Sequence, residues 1–328
     1  MKIEVKLADR FPSTSVASKA LAASIAAALL LSLMPILVRL SEAELGANAT
    51  VFDRFLIVSL SLIIWECFAI VNKVIKGEDQ SSIKTDFLNF SFLGNFFLPL
   101  LALIVAFFGT QCLWTWSLSQ TTVANSQVLH CLSPAFATLA GWILFSQKFE
   151  AKFLVGMTLA MVGTLGIGLS DITSHINIEG DSLALLSALF WAAYIMAIEK
   201  LRSFWRSTTI LFWASVSCSL LSLPILLGTG DSLLPDNPRT WLSILLLVAN
   251  TLGCHLLMAY SLKWLSSALV ATVLLLNPML AALIGWVLFS ESLSVLNLLG
   301  FATIIVGVYY AISGQVRGEA RDKKIILN

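Results

Sequence analysis

This chain of 328 residues is poor in charge: only 12% of its residues are Asp, Glu, Lys or Arg, where a soluble domain carries about a quarter. Its five cysteines (Cys67, Cys112, Cys131, Cys218 and Cys254) all fall inside apolar runs, and none stands in a Cys-x-x-Cys spacing. That excludes a disulfide framework and leaves them as small hydrophobes. The three histidines (His130, His175 and His255) are never paired at helical spacing, so a zinc site is not expected. No Gly-x-x-x-x-Gly-Lys-Ser/Thr loop, His-Glu-x-x-His pair or Gly-x-Ser-x-Gly elbow occurs, which argues against a nucleotide-driven pump and an integral membrane enzyme. No cofactor or metal is expected. The net charge of +1, with basic residues confined mostly to the tails and short gaps, gives nucleic acid no surface to bind.

What the chain has instead is apolar length, with 58% hydrophobic residues. A helix needs about 20 residues to cross roughly 30 Å of hydrocarbon, because lipid offers no partner to unpaired backbone groups. Ten segments reach that length: 19–39, 51–72, 92–117, 122–145, 152–170, 181–201, 207–228, 240–262, 266–289 and 294–313. The first follows a basic tail and could be read as a signal peptide, but the repeat described below needs it as a mature helix. The gaps are too short for a soluble domain; the largest, KVIKGEDQSSIKTDFLNF, has room for at most an interfacial helix. Alternate gaps hold 17 basic residues on one side against Arg39, Arg54 and Arg239 on the other. The positive-inside rule then places both termini in the cytoplasm of a cell whose plasma (inner) membrane the chain spans.

The chain repeats itself. At a constant offset of 144, Gly109, Ser117, Pro134, Gly141, Trp142, Phe145, Gly156 and Gly163 recur as Gly253, Ser261, Pro278, Gly285, Trp286, Phe289, Gly300 and Gly307. The first spans of each copy correspond more weakly, at an offset near 161. Each unit holds five spans, and an odd number forces the second copy to thread the membrane in the opposite direction. Such inverted repeats are a common device of secondary transporters.

The Pro of the fourth span with its downstream Gly and Phe, followed by two glycines seven apart in the fifth, resembles the EamA branch of the drug/metabolite transporter superfamily over nearly the whole chain. One position departs from the pattern: the acidic residue of the motif is Glu291 in the second copy but Gln147 in the first. The resemblance implies an all-α integral membrane protein of ten helices around a central cavity, with amino acids, nucleosides or drug-like solutes as cargo. On this reading residues 1–18 are a cytoplasmic tail, 19–170 the first unit, 171–314 the second and 315–328 a second cytoplasmic tail.

Polar groups in hydrocarbon are costly and usually face an interior. The cavity candidates are therefore Gln111 and Trp114 in the third span, Gln127, His130 and Ser133 in the fourth, Trp191 and Tyr194 in the sixth, His255 in the eighth and Asn277 in the ninth. Gln111 and His255 are equivalent in the repeat, and so are Trp116 and Tyr260. Hydrogen bonds that merely hold helices together are the other reading. Trp114, Trp191 and Tyr194 suit an aromatic wall for an amphipathic or cationic solute, or simply core packing. Pro134 and Pro278 stand near mid-span, where a missing N–H frees a carbonyl; hinge and static kink are both open. Glu66 in the second span is the coupling candidate, unless it only reaches cytoplasmic water. Arg39 and Arg54 are expected at a solvated outer rim, with anion recognition the alternative. The seven-residue glycine pairs allow close helix approach, within the chain or in a homodimer.

Overall fold

The computed structural model describes residues 14–75, 93–171, 177–230, 234–235, 237–289 and 293–327. Glu291 and the gap at 76–92 lie outside the described residues. The elements are α1 (Thr14–Leu45), α2 (Ala47–Ile75), α3 (Leu93–Gln120), α4 (Val123–His130), α5 (Ser133–Phe145) and α6 (Ala151–Asp171). The second half adds α7 (Ile178–Leu201), α8 (Ser207–Thr229), α9 (Pro238–Ser261), α10 (Ser267–Val273), α11 (Leu276–Phe289) and α12 (Val295–Leu327). Nine passes among the described residues are long and apolar enough to cross a membrane. The tenth is α6, whose 21 residues rise about 30 Å. The last helix runs past the boundary at 314 to Leu327, so the expected C-terminal tail continues α12.

Burial is arranged for lipid. Large apolar side chains such as Ile64, Trp65, Phe68, Leu98 and Leu144 are exposed, while small and polar ones such as Ala27, Ser32, Ser187 and Thr251 are buried. Only a hydrocarbon surround makes that distribution favourable. Trp142 and Trp286 lie on this outer surface, but Trp205 packs against the core.

The helix pairing obeys the repeat. The closest neighbours are α6 with α12, α2 with α8, α3 with α7, and α1 with α9. Exchanging the two units maps the first two pairs onto themselves and interconverts the other two. The α5–α7 and α1–α11 contacts interconvert in the same way. Each of these pairs joins a helix of one unit to a helix of the other, so the halves interlock. Glycine sets the closest of these approaches: a Cβ on Gly163 would lie 2.8 Å from the carbonyl oxygen of Gly300, and one on Gly300 would lie 2.8 Å from that of Gly163. Gly156 and Gly307 are opposed in the same reciprocal manner. These glycines serve the antiparallel α6–α12 contact inside the chain.

The fourth and ninth passes are not continuous helices. Thr122 caps α4 by accepting from the backbone N–H of Asn125 at 3.1 Å, and its equivalent Ser266 caps α10 by accepting from that of Leu269 at 3.3 Å. Each half-helix then ends in a tight turn: Leu132 N–H donates to the Leu129 carbonyl and Leu275 N–H to that of Thr272, both at 3.2 Å. The second halves restart at once as α5 and α11. Pro134 and Pro278 therefore stand in the first turn of a half-helix rather than in mid-helix, where a missing N–H costs nothing.

Two arginines close helix ends. Arg39, at the end of α1, donates to the Leu118 and Thr121 carbonyls at the C-terminus of α3, both at 3.3 Å. Arg202, just beyond α7, donates to the Ala259 carbonyl near the C-terminus of α9 at 2.8 Å. A cation at a helix C-terminus meets the negative end of the dipole and satisfies orphan carbonyls.

Candidate functional site

Between the two units lies a cavity of about 640 Å³ of empty space, counting the part open to solvent. It sits at the two helix breaks. Cys131 and Ser133 flank one break, Leu274, Leu275 and Asn277 the other, and all five line the wall.

Eight of the nine sequence candidates line it: Gln111, Trp114, Gln127, His130, Ser133, Trp191, His255 and Asn277. Gln111 and His255, equivalent in the repeat, do so from opposite units. The ninth, Tyr194, stands behind the wall, 1% exposed, with its hydroxyl 2.9 Å from Nδ1 of His255. Trp116 and Tyr260 are elsewhere: the Trp116 indole N–H donates to Asn48 Oδ1 at 2.9 Å, and Tyr260 is exposed.

The aromatic residues form a connected row across the unit boundary. The ring centroids of Trp114 and His130 are 6.3 Å apart, those of His130 and Trp191 5.6 Å, and those of Trp191 and His255 5.9 Å. Phe107 packs edge-on against His255 at 5.5 Å and supports the row from behind. The His130 ring is fixed by Ser187: its Nδ1 is 3.0 Å from the Ser187 hydroxyl, which already donates to the Ala184 carbonyl at 2.7 Å. A hydroxyl whose one proton goes to that carbonyl can only accept from the ring, and this arrangement assigns the hydrogen to Nδ1 of His130.

The residue that sequence reasoning misplaced is Arg54. It is 2% exposed, lines the cavity, and lies about two turns inside α2, far from a solvated rim. Its Nε–H donates to Thr251 Oγ1 at 2.7 Å, Nη1 to Gln111 Oε1 at 3.3 Å and Nη2 to the Met34 sulfur at 3.2 Å, and its guanidinium carbon stands 4.6 Å from the Phe55 ring centroid. The missed signal is the start of the helix: α2 begins at Ala47, not at 51. Glu66, conversely, is half-buried on a stretch of α2 whose neighbours Trp65 and Phe68 face outward, and it is not part of the cavity wall. Asp53 is the buried carboxylate of α2, 1% exposed and without a hydrogen-bond partner for either oxygen. Among the described residues no cluster of His, Cys, Asp or Glu could hold a metal ion.

Comparison with known proteins agrees with this architecture. The chain is similar to a threonine/homoserine exporter, RhtA, of Escherichia coli K12, 25% identical over 233 residues that cover 70% of this chain and 76% of the relative. A probable amino-acid metabolite efflux pump of Salmonella typhimurium LT2 is 29% identical over 201 residues, covering 57% of this chain and 67% of that protein. An uncharacterized transporter of Methanothermobacter thermautotrophicus is 21% identical, covering 71% of this chain and 67% of its own length. A solved structure described only as "Crystal structure of protein" superposes with a TM-score of 0.71 at 15% identity, over 91% of this chain and 98% of the other, and so shares the fold. The EamA-like transporter family matches residues 18–169 and again 178–313, one match for each inverted unit: this chain belongs to that family, and it is a multi-pass membrane transporter, not an enzyme.

Proposed function

We propose that the protein is a secondary carrier for a small organic metabolite of amino-acid character, working by alternating access between its two inverted units. The observation that carries this reading is the position of the cavity, at two capped half-helix breaks contributed by opposite units. A site on the boundary of two interlocked halves can be opened to either side by rocking one half against the other. Seams of glycine against glycine, such as α6–α12, are smooth enough to slide or pivot without unpacking large side chains. The amino-acid character rests on the relatives named as exporters of amino acids and their metabolites. Gln111, Trp114, Gln127, His130, Ser133, Trp191, His255 and Asn277 are its solute contacts, and the turns before Pro134 and Pro278 are its flexing points.

We place both termini on the cytoplasmic side of the inner membrane. With Arg54 buried, the opposite side keeps only Arg39 and Arg239, which sharpens the charge asymmetry. Purified protein in liposomes should exchange labelled threonine or homoserine with saturable kinetics. Flux that stays linear at every concentration would indicate a pore and overturn the carrier reading.

A further inference from the structure

We propose that Arg54 is an anion subsite of the cavity and takes the single carboxylate of a small organic solute. The proposal rests on the carrier reading above and names the solute's chemical class.

A cation inside a transmembrane bundle is expensive and is found paired or facing water. Arg54 has no carboxylate partner among the described residues: its bonds go to a hydroxyl, an amide oxygen and a thioether. Even Asp53, next along the chain, turns both oxygens elsewhere, since neither has a hydrogen-bond partner. A guanidinium carries five N–H donors in a planar fork. Three are used, one of them on a sulfur that accepts weakly, and the rest are available in a residue that lines the cavity. A planar fork of this kind matches a carboxylate bidentately, and such pairs are strongest where water is excluded.

The rest of the wall narrows the class. Among the described residues Arg54 is the only Arg or Lys of the wall, and no Asp or Glu belongs to it. One negative charge therefore neutralises the site, whereas a phosphate dianion would leave a charge uncompensated. A cationic solute would meet like charge with no acid to offset it, so the aromatic row is not a cage for organic cations. Two further groups await partners: the Trp114 indole N–H and Asn277 Oδ1 are both buried and unpaired. The first can add a donor to a carboxylate, and the second accepts from a hydroxyl or amino group on the same molecule. The helix equivalent to α2 in the second unit, α8, contains no basic residue, so this subsite exists once per chain.

The test uses the full-length protein in lipid nanodiscs and three acid–amide pairs of matching shape: benzoate and benzamide, 4-methylpentanoate and its amide, leucine and leucinamide. A ligand that binds the folded state raises its apparent melting temperature. At least one acid should raise it and bind measurably by calorimetry, and its amide should not. Arg54→Gln should weaken acid binding by about thirtyfold or more, the usual consequence of removing one partner of a buried charge pair. Arg54→Lys, which keeps the charge without the fork, should retain an intermediate affinity. Amides that bind as well as acids, an Arg54→Gln protein that binds acids normally, or no response to any acid would each overturn the subsite. The acid–amide comparison stands even where Arg54→Gln fails to fold. Arg54-dependent binding without saturable flux in liposomes would uphold the subsite and refute the carrier. Saturable flux of an amide with no preference for acids would do the reverse.

Discussion

Replacing Gly156 by alanine tests whether the two units are held together where the structure places their closest contact. The added Cβ would lie 2.5 Å from the Gly307 carbonyl oxygen and 2.9 Å from the Ala311 Cα, with the Ala311 backbone nitrogen closer still. All three are backbone atoms of the facing helix, so no side chain can swing aside. The helices must separate, and overpacking of this kind costs about 1 to 3 kcal/mol. Gly166 supplies an internal control on the same helix, because a Cβ there meets nothing within 4 Å. Gly166→Ala should be neutral or stabilising by up to about 1 kcal/mol through helix propensity alone. Equilibrium unfolding in mixed micelles should therefore separate the two variants by about 1 to 4 kcal/mol. Gly307→Ala should behave like Gly156→Ala, and the double variant should cost less than the sum, because one methyl already forces the helices apart. If Gly156→Ala unfolds with Gly166→Ala, the α6–α12 seam does not govern the interlock and the reasoning fails.

Three other perturbations read the cavity. Ser187→Ala removes the acceptor of the His130 Nδ1–H, and leaving a buried donor unpaired should lower stability by about 1 to 3 kcal/mol and impair transport; unchanged unfolding and flux would refute the assigned tautomer. Pro134→Ala and Pro278→Ala should cost less than about 1 kcal/mol, because each proline occupies a first turn where its missing N–H is not needed. They should still bind solute while turning over more slowly, and an unaltered turnover rate would remove these breaks from the transport cycle. Asp53→Asn exchanges a buried, unpartnered carboxylate for a neutral group of the same shape, so stability should hold or rise; a loss above about 1 kcal/mol in micelle unfolding would mean that the carboxylate is bonded after all.

Which parts of this molecule were legible in the sequence follows from what lipid forbids. Gln127, His130 and Asn277 were identifiable as inward-facing because few positions other than the interior tolerate them within an apolar run. The glycine pairs were legible because the offset of 144 placed them in equivalent helices of opposite direction. Arg54 was not, since assigning it to the rim depended on where α2 begins, and the polar stretch ANAT looks like a loop although it forms the first turn. The helix breaks were also hidden. Proline signals both a mid-helix kink and a fresh first turn, and the HCLS stretch before Pro134 contains no glycine to choose between them. Tyr194 was legible as buried, but its role as a prop for His255 depends on a distance of 2.9 Å that no spacing rule encodes.

The repeat explains the scaffold, and the departures from it bear on direction. If both units had identical linings, exchanging their conformations would interconvert two states with equal affinity for the solute, and a ligand with equal affinity for both states shifts nothing. Here equivalent positions carry different chemistry. Gln111 accepts from Arg54 in the first unit, while His255 in the second is bonded to Tyr194. Ser133 stands against Asn277, and Arg54 has no counterpart in α8. On the carrier reading, a carboxylate anchored to α2 stays with the first unit as the second moves. The groups it gains or loses are then those of the second unit: Trp191 of α7, His255 of α9 and Asn277 of α11. Differential affinity between the two open states must come from residues of the second unit such as these, so Asn277→Ala should change the ratio of inward- to outward-facing affinity, measured by flux from each side of oriented vesicles. A proportional loss on both sides would show instead that Asn277 travels with Arg54, and the first unit could no longer be the fixed partner of the solute.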